Sequence, residues 1–299
     1  MEYMNRRHRL CITSTIVESH PKALVVFRGL EESLKAASEI GYDGIELALY
    51  HKDNVDAKAL RGLADRYNMA IPVISTGQMY TMGKVSSTHP DRGVRERAVE
   101  DFEGIIEIAA ELGADVNVSR VRGSLDPDDS YEEGLEKLTQ CLDRVCAKAR
   151  AYGLAILLEQ MNRYETNYLF SCAEVGDYIR KLGIPNLKIH ADLFHMNIED
   201  VDLPKTLKEY ADVLGYIHFA DSNRLAPGKG NIDFVSILQS LDSIKYPGWI
   251  GVEILPKPNP HSAARESLEY LRALEEELPR DRSGEHEKCA SSDNSAWSP

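Results

Sequence analysis

The chain of 299 residues lacks long hydrophobic runs: no stretch approaches the roughly 18 apolar residues of a membrane-spanning helix. Its N-terminus, MEYMNRRHRLCITSTI, contains no apolar segment long enough for a signal peptide. The chain is also poor in cysteine, and no two cysteines form a CxxC pair; the five are Cys11, Cys141, Cys146, Cys172 and Cys289. Such spacing is typical of reduced intracellular thiols rather than of a disulfide framework or a zinc ribbon. We therefore expect a cytoplasmic protein with no membrane partner.

Positive charge is scarce as well. The chain has 35 Lys and Arg against 48 Asp and Glu, a formal net charge of −13, and no basic stripe of the kind that holds a nucleic-acid backbone. Because neutralisation of phosphates supplies most of the affinity for nucleic acid, this balance argues against a nucleic-acid partner. The hydrophobic share of 43% and the charged share of 28% are those of a soluble globular protein.

Short β-rich runs alternate with longer stretches of helical periodicity, with a repeat of about 30 residues, the size of a βα unit. Eight strands are predicted: Arg9–Val17, Gly44–Tyr50, Ala70–Gly77, Asp115–Gly123, Leu154–Gln160, Leu187–His195, Leu214–Ser222 and Trp249–Leu255. An open doubly wound α/β sheet could be written in the same way. The count of eight and the even spacing favour one α/β domain, a closed (β/α)₈ TIM barrel over residues 1–278.

Two segments fall outside the repeat. The long connection Gln78–Gly93 follows the third strand, on the side where barrels place loops that cover the substrate, and we predict that it is a lid. Residues 279–299 are polar, rich in serine and without periodicity, which predicts a disordered tail.

Four residues that can bind metal fall late in four consecutive predicted strands: Glu159, Asp192, His218 and Glu253. The carboxyl ends of barrel strands form one rim, so these side chains are expected to converge. Three carboxylates and an imidazole suit Mn²⁺, Co²⁺ or Mg²⁺, whereas a structural zinc would prefer thiolates. Any one acid at a strand end is more commonly a helix cap or a solvated residue. From the pattern alone, a shared metal site and four unrelated residues are equally open.

Four segments carry a family resemblance: LLEQMNRYE (Leu157–Glu165), HADLFHMNIED (His190–Asp200), HFADSNRLAPGKGNIDF (His218–Phe234) and GVEI (Gly251–Ile254). They resemble the xylose-isomerase-like sugar isomerases and epimerases, particularly the ketose 3-epimerases. The resemblance implies that Glu159, Asp192, His218 and Glu253 bind a divalent metal, Mn²⁺ first among the candidates. It also implies that Glu165, His195 and Arg224 contact a small sugar, and that the protein is a homo-oligomer, a dimer or a tetramer.

Glu159 and Glu253 come from the fifth and eighth strands, so they can approach a bound sugar from opposite faces as acid and base. A divalent ion would stabilise the enediolate left after proton removal. Return of the proton to the same carbon is epimerisation, and return to the neighbouring carbon is aldose–ketose isomerisation. The sequence leaves both open.

Three other classes share parts of this pattern. A cyclitol-ketone dehydratase begins with the same proton abstraction. An apurinic-site endonuclease-like barrel would need further histidines on the second and third strands and a basic face. A sugar-binding barrel without activity is disfavoured because both acid–base carboxylates are present.

Several residues have two interpretations. Glu46 either supports the site or is a structural acid, and His190 is expected to be a buried core residue or a residue behind the ligands rather than a ligand. The Arg120–Gly123 cluster is either a phosphate site or a solvated turn.

Overall fold

The structure is a computed structural model that describes residues 8–278. Its strands are β1 (Arg9–Thr15), β2 (Phe27–Arg28), β3 (Gly44–Ala48), β4 (Val73–Ser75), β5 (Asp115–Val118), β6 (Ile156–Glu159), β7 (Leu187–Asp192), β8 (Leu214–Phe219) and β9 (Trp249–Val252). Its helices are α1 (Leu30–Ile40), α2 (Ala57–Arg66), α3 (Gly77–Thr81), α4 (Arg92–Leu112), α5 (Tyr131–Ala151), α6 (Cys172–Leu182), α7 (Leu193–Glu199), α8 (Leu203–Glu209), α9 (Phe234–Ser243) and α10 (Pro260–Glu277). The predicted tail at 279–299 lies outside the described residues.

The strands close into a barrel. Every neighbouring pair is parallel, in the order β1, β3, β4, β5, β6, β7, β8, β9. Strand β9 then pairs with β1, with Arg9 opposite Trp249 and Ile12 opposite Val252. The two-residue strand β2 lies outside this ring, paired to the end of β1. The prediction of a (β/α)₈ barrel is confirmed.

The helices form the outer layer because each buries one apolar stripe against the strands. In α4 the buried residues recur at helical spacing, as Ala98, Phe102, Ile105 and Ala109. That helix ends at Gly113, whose φ of 66° is the left-handed conformation that glycine adopts without steric cost. Within residues 8–278 no helix is both long and apolar enough to cross a bilayer.

The observed strands are shorter at their carboxyl ends than predicted, because the chain turns into the rim. Asp192 shows the reason: it is the last residue of β7 and also the N-cap of α7. Its Oδ1 accepts the backbone N–H groups of Phe194 and His195, at 2.8 and 3.2 Å. The apolar residues that follow it therefore belong to a helix and not to the strand.

Candidate active site

The four predicted ligands meet at the carboxyl rim of the barrel. Glu159 ends β6, Asp192 ends β7, His218 lies in β8 and Glu253 directly follows β9. Each offers one ligand atom, and these atoms all lie within 4.8 Å of one another. Three of the residues are buried, and the side chain of Glu253 is 15% exposed. The sequence pattern therefore describes one cluster and not four unrelated strand ends.

The imidazole of His218 faces the three carboxylates with one nitrogen. Its Nδ1 lies 3.4 Å from Asp192 Oδ2, 3.4 Å from Glu253 Oε2 and 4.0 Å from Glu159 Oε1. This nitrogen is buried and has no hydrogen-bond partner. A buried polar atom without a partner is costly, and a cation held among these four atoms would remove that cost. The donor set therefore fits a divalent ion of borderline hardness.

Burial and neighbouring charge perturb the pKa values of three of these residues. Burial raises the pKa of Glu159 to about 7, and the charge of Asp192 acts in the same direction. For Asp192, burial is outweighed by the nearby Arg224 guanidinium, which holds the pKa of that carboxyl well below its usual range. Burial also opposes the charged form of His218, but the carboxylates of Glu46 and Asp192 outweigh it and raise its pKa to about 10. The cluster thus contains buried groups of both charges whose pKa values are strongly shifted, as is common in catalytic sites.

Arg224 lies on the carboxylates themselves. Its Nη1 donates to both oxygens of Asp192, each at 2.7 Å, and its Nη2 contacts Glu253. The guanidinium also lies over the ring of Phe194, with 4.8 Å from Cζ to the ring centroid. The side chain is 7% exposed and lines the cavity above the cluster. The residue that the resemblance assigned to the substrate therefore also neutralises two of the predicted ligands.

His195, on α7, is held by a residue that the sequence analysis did not single out. Its Nδ1 lies 2.6 Å from Nδ2 of Asn162, whose Oδ1 accepts the backbone N–H of Tyr164. This second bond orients the amide so that its nitrogen faces the imidazole, and Nδ1 must be the acceptor. The proton of His195 then resides on Nε2. Burial lowers its pKa to about 4, so the ring is neutral near pH 7.

Glu165 lies at the mouth of the site in an ion pair. Its Oε2 is 2.7 Å from Nη2 of Arg120, and both side chains are partly exposed.

Arg122, in the same short segment as Arg120, is fully buried. It donates to the backbone carbonyls of Glu159 and Tyr168, at 2.6 and 3.0 Å. Neither interpretation of the Arg120–Gly123 cluster therefore fits Arg122, which is a structural residue.

A cavity of about 430 Å³ opens above the cluster. We call residues 16–26, the connection between β1 and β2, the strap. The strap contributes His20, Lys22 and Leu24 to the lining of the cavity. Of the predicted lid Gln78–Gly93, only Gln78 and Thr81 line it.

The rest of that segment folds away from the cavity. The Ser87 N–H donates to the carbonyl of Val121 at 2.8 Å, and the Thr88 hydroxyl donates to that of Arg122 at 2.9 Å. The lid prediction is therefore wrong for most of its length. The strap carries no polar motif that the sequence analysis could have recognised.

Two buried residues lie behind the ligands. The ring of His190 is fully buried and packs edge-on against His218, with centroids 4.1 Å apart, which agrees with its interpretation as a buried residue. Glu46, on β3, is 1% exposed and lies 2.6 Å from Nε2 of His218. This contact favours the first of its two interpretations, in which Glu46 supports the site.

A closed parallel barrel with such a cluster at its carboxyl rim has the architecture of a TIM-barrel enzyme. Residues 34–274 match the family model of the xylose isomerase-like TIM barrel, and the chain belongs to that family. The resemblance seen in the sequence is confirmed.

Characterised relatives agree with this assignment. The chain is 31% identical over 224 residues to L-ribulose 3-epimerase from Mesorhizobium japonicum, covering 73% of this chain and 72% of that protein. It is 28% identical over 261 residues to 3-dehydro-D-guloside 4-epimerase from Escherichia coli, covering 81% and 93%. The crystal structure of D-allulose 3-epimerase from Methylomonas sp. superposes with a TM-score of 0.75 at 23% identity, covering 89% of this chain and 98% of that one. These relatives are epimerases, which are isomerases, and the chain is an isomerase.

Proposed function

We propose that this protein is a divalent-metal-dependent epimerase that inverts a carbon next to the carbonyl of a small ketose, with Mn²⁺ as the favoured ion. One observation carries the proposal: the unpartnered Nδ1 of buried His218 faces three carboxylate oxygens at 3.4–4.0 Å. Glu159, Asp192, His218 and Glu253 would hold the ion. The bound ion would supply charge stabilisation for the oxygens of the enediolate.

The names of the relatives agree on epimerisation beside a carbonyl, but they differ in which carbon is inverted. A 3-epimerase of the ketose L-ribulose inverts the carbon beside a C2 carbonyl. A 4-epimerase of a 3-dehydro sugar inverts the carbon beside a C3 carbonyl. In both cases the inverted carbon carries a proton that the adjacent carbonyl makes acidic, so removal of that proton is a route open to both reactions. We propose this shared step for the present protein.

Two carboxylates would exchange the proton. Strands β6 and β9 are separated by two strands around the barrel, so Glu159 and Glu253 reach a bound sugar from different sides. One, ionised, takes the proton, and the electron pair of the broken C–H bond remains on the enediolate. The other, protonated, returns a proton to the opposite face of the same carbon. The configuration is thereby inverted with no net change in atoms or charge.

The remaining residues would position the sugar. The Nε2–H of neutral His195 can donate a hydrogen bond to a substrate oxygen. The guanidinium of Arg224 can donate to a substrate oxygen that becomes negatively charged during the reaction. Glu165, paired with Arg120 at the cavity mouth, would contact the far hydroxyls. The homo-oligomer implied by the resemblance and the cytoplasmic location stay predictions.

The proposal is tested by stripping the protein with a chelator, reloading it with Mn²⁺, Co²⁺ or Mg²⁺, and incubating it with a ketose panel in D₂O. We expect metal-dependent formation of one epimer, with deuterium only at the inverted carbon. Deuterium at the adjacent carbon of an aldose would instead identify an isomerase, and loss of water would identify a dehydratase. No conversion and no exchange with any ion on any ketose would refute the proposed chemistry.

A further inference from the structure

Glu46 lies in the interior of the barrel beneath the cluster. It projects from β3, which is not a neighbour of β8, so its contact with His218 crosses the barrel between residues 172 positions apart. The carboxylate is 1% exposed, and its Oε2 lies 2.6 Å from His218 Nε2 and 2.7 Å from the hydroxyl of Tyr216. Burying a carboxylate costs several kcal/mol unless hydrogen bonds and charge compensate it. Two short contacts to Oε2 offset part of that cost, while Oε1 is buried without a hydrogen-bond partner.

This contact determines which nitrogen of His218 can bind a cation. A carboxylate can only accept, so Nε2 must carry a proton and donate it to Glu46. A cation can then bind only through Nδ1, the nitrogen that faces Glu159, Asp192 and Glu253, and it displaces any proton from that nitrogen when it binds. Packing fixes the plane of the ring as well: it lies edge-on to the ring of Tyr216, with centroids 5.3 Å apart.

We propose that Glu46 is a positioning residue for a divalent ion, acting through His218: it holds the Nε2–H tautomer, sets the orientation of the ring, and adds negative charge behind the ligand. The inference rests on the metal site of the proposed function but not on the reaction or its substrate. A carboxylate behind a metal-bound imidazole fixes its orientation and raises its basicity, and losing such a partner costs about 10–100-fold in metal affinity.

Tyr216 gives the matched control. Its hydroxyl donates to the same oxygen of Glu46 and also lies 3.1 Å from Sγ of Cys11. Tyr216→Phe removes one donor but leaves the bond between carboxylate and imidazole. Glu46→Gln keeps the shape of the side chain and an acceptor oxygen, but removes the charge. A charge-dependent role for Glu46 therefore predicts a larger effect for Glu46→Gln than for Tyr216→Phe.

The experiment titrates the metal-free, full-length protein with Co²⁺ and measures the Kd by calorimetry and the visible d–d spectrum of the bound ion. Glu46→Gln should weaken Co²⁺ binding about 10–100-fold and shift the spectrum, while Tyr216→Phe should change the Kd by less than about 10-fold. A Kd and spectrum for Glu46→Gln equal to those of the wild type would overturn the inference and leave the proposed function intact. Wild-type protein that binds Co²⁺ but epimerises no ketose would refute the function alone. Wild-type protein that binds no divalent ion would refute both.

A second measurement does not depend on folding of the variant. In ¹⁵N-labelled wild-type protein loaded with diamagnetic Zn²⁺, the His218 ring should show a protonated Nε2 and a metal-bound Nδ1. A metal-bound Nε2 would contradict the role of Glu46 directly.

Discussion

Nη1 of Arg224 lies 2.7 Å from each oxygen of Asp192, so a fixed cation contacts a carboxylate that is also a predicted metal ligand. The other end of the guanidinium contacts Glu253. Three carboxylates around one divalent ion carry one surplus negative charge, and the Arg224 guanidinium neutralises it. Because the same side chain lines the cavity, it can also respond to negative charge that forms on a bound sugar.

Arg224→Met should separate these two roles. Methionine keeps an unbranched apolar side chain over Phe194 but leaves the three carboxylates with surplus negative charge, so we expect Mn²⁺ to bind at least as tightly as in the wild type. Turnover should fall on the order of 10²-fold, because a preorganised donor to the developing oxyanion is lost. Arg224→Lys, which retains the positive charge but not the paired N–H donors of the guanidinium, is the control. Its turnover should lie between that of the wild type and that of Arg224→Met. Equal losses of metal affinity and turnover in Arg224→Met would contradict this assignment.

The middle of the strap is held from two sides by side chains that do not belong to the predicted chemistry. Arg28, on β2, donates to the carbonyls of His20, Pro21 and Ala23 at 3.2–3.4 Å. From the other side, the backbone N–H of His20 donates to Oε1 of Gln78 at 3.0 Å.

Arg28→Ala should loosen the strap and raise KM about 10-fold while leaving the Kd for Mn²⁺ unchanged. The reason is that, within residues 8–278, no hydrogen bond or ion pair joins the strap to the four ligands. Arg61→Ala is a matched control, since Arg61 also donates to a backbone carbonyl, that of Glu111, but on the outer helices. Steady-state kinetics on the best ketose provides the measurement. An unchanged KM in Arg28→Ala would show that the strap is not part of the substrate site.

The start of most strands and the four central side chains could be predicted from the sequence. Six observed strands begin at the predicted residue. Examples are Gly44 after Asp43 and Trp249 after Gly248, where a polar residue or a glycine ends the preceding loop. The cluster was predictable because one acid or imidazole recurs at the end of each of four βα units. Both signals are local and repeat along the chain.

The rest of the site depends on contacts between distant segments, which no local pattern encodes. Glu46 meets His218 across 172 residues, and Arg120 meets Glu165 across 45. The segment Gln78–Gly93 has the composition of a lid, yet the backbone N–H of Ser87 is bonded to the carbonyl of Val121, which does not line the cavity. Where a polar loop finds its hydrogen-bond partners is a tertiary property.

Asp200 should make stability depend on pH. Burial raises the pKa of this carboxyl to about 6, although it accepts the backbone N–H of Cys172 at the start of α6. A raised folded-state pKa means that the folded form is favoured while the group is protonated, and that this stabilisation is lost as pH rises from about 4 through 6.

Asp200→Asn keeps an acceptor for the Cys172 N–H and cannot ionise. Relative to the wild type, its free energy of unfolding should therefore rise by about 1–2 kcal/mol between pH 4.5 and pH 7.5. Urea denaturation of both proteins at the two pH values gives this difference. The other titrating groups are the same in both proteins, so their contribution cancels in the comparison. If the difference in free energy of unfolding between the two proteins stays constant with pH, burial does not disfavour the ionised form of Asp200.

The acid–base assignment is the most direct test of the chemistry. Gln is nearly isosteric with Glu and still offers a carbonyl oxygen, but it cannot take up a proton at neutral pH. Glu159→Gln and Glu253→Gln should therefore retain at least part of the bound metal, measured by elemental analysis, and lose turnover on the order of 10²-fold or more. In a two-base epimerase, one of these variants can still exchange the substrate proton with D₂O from the remaining face, although inversion has stopped. Exchange without inversion in one variant would assign the two faces to the two residues. Near-normal turnover in both variants with metal bound would show instead that the two carboxylates are ligands only.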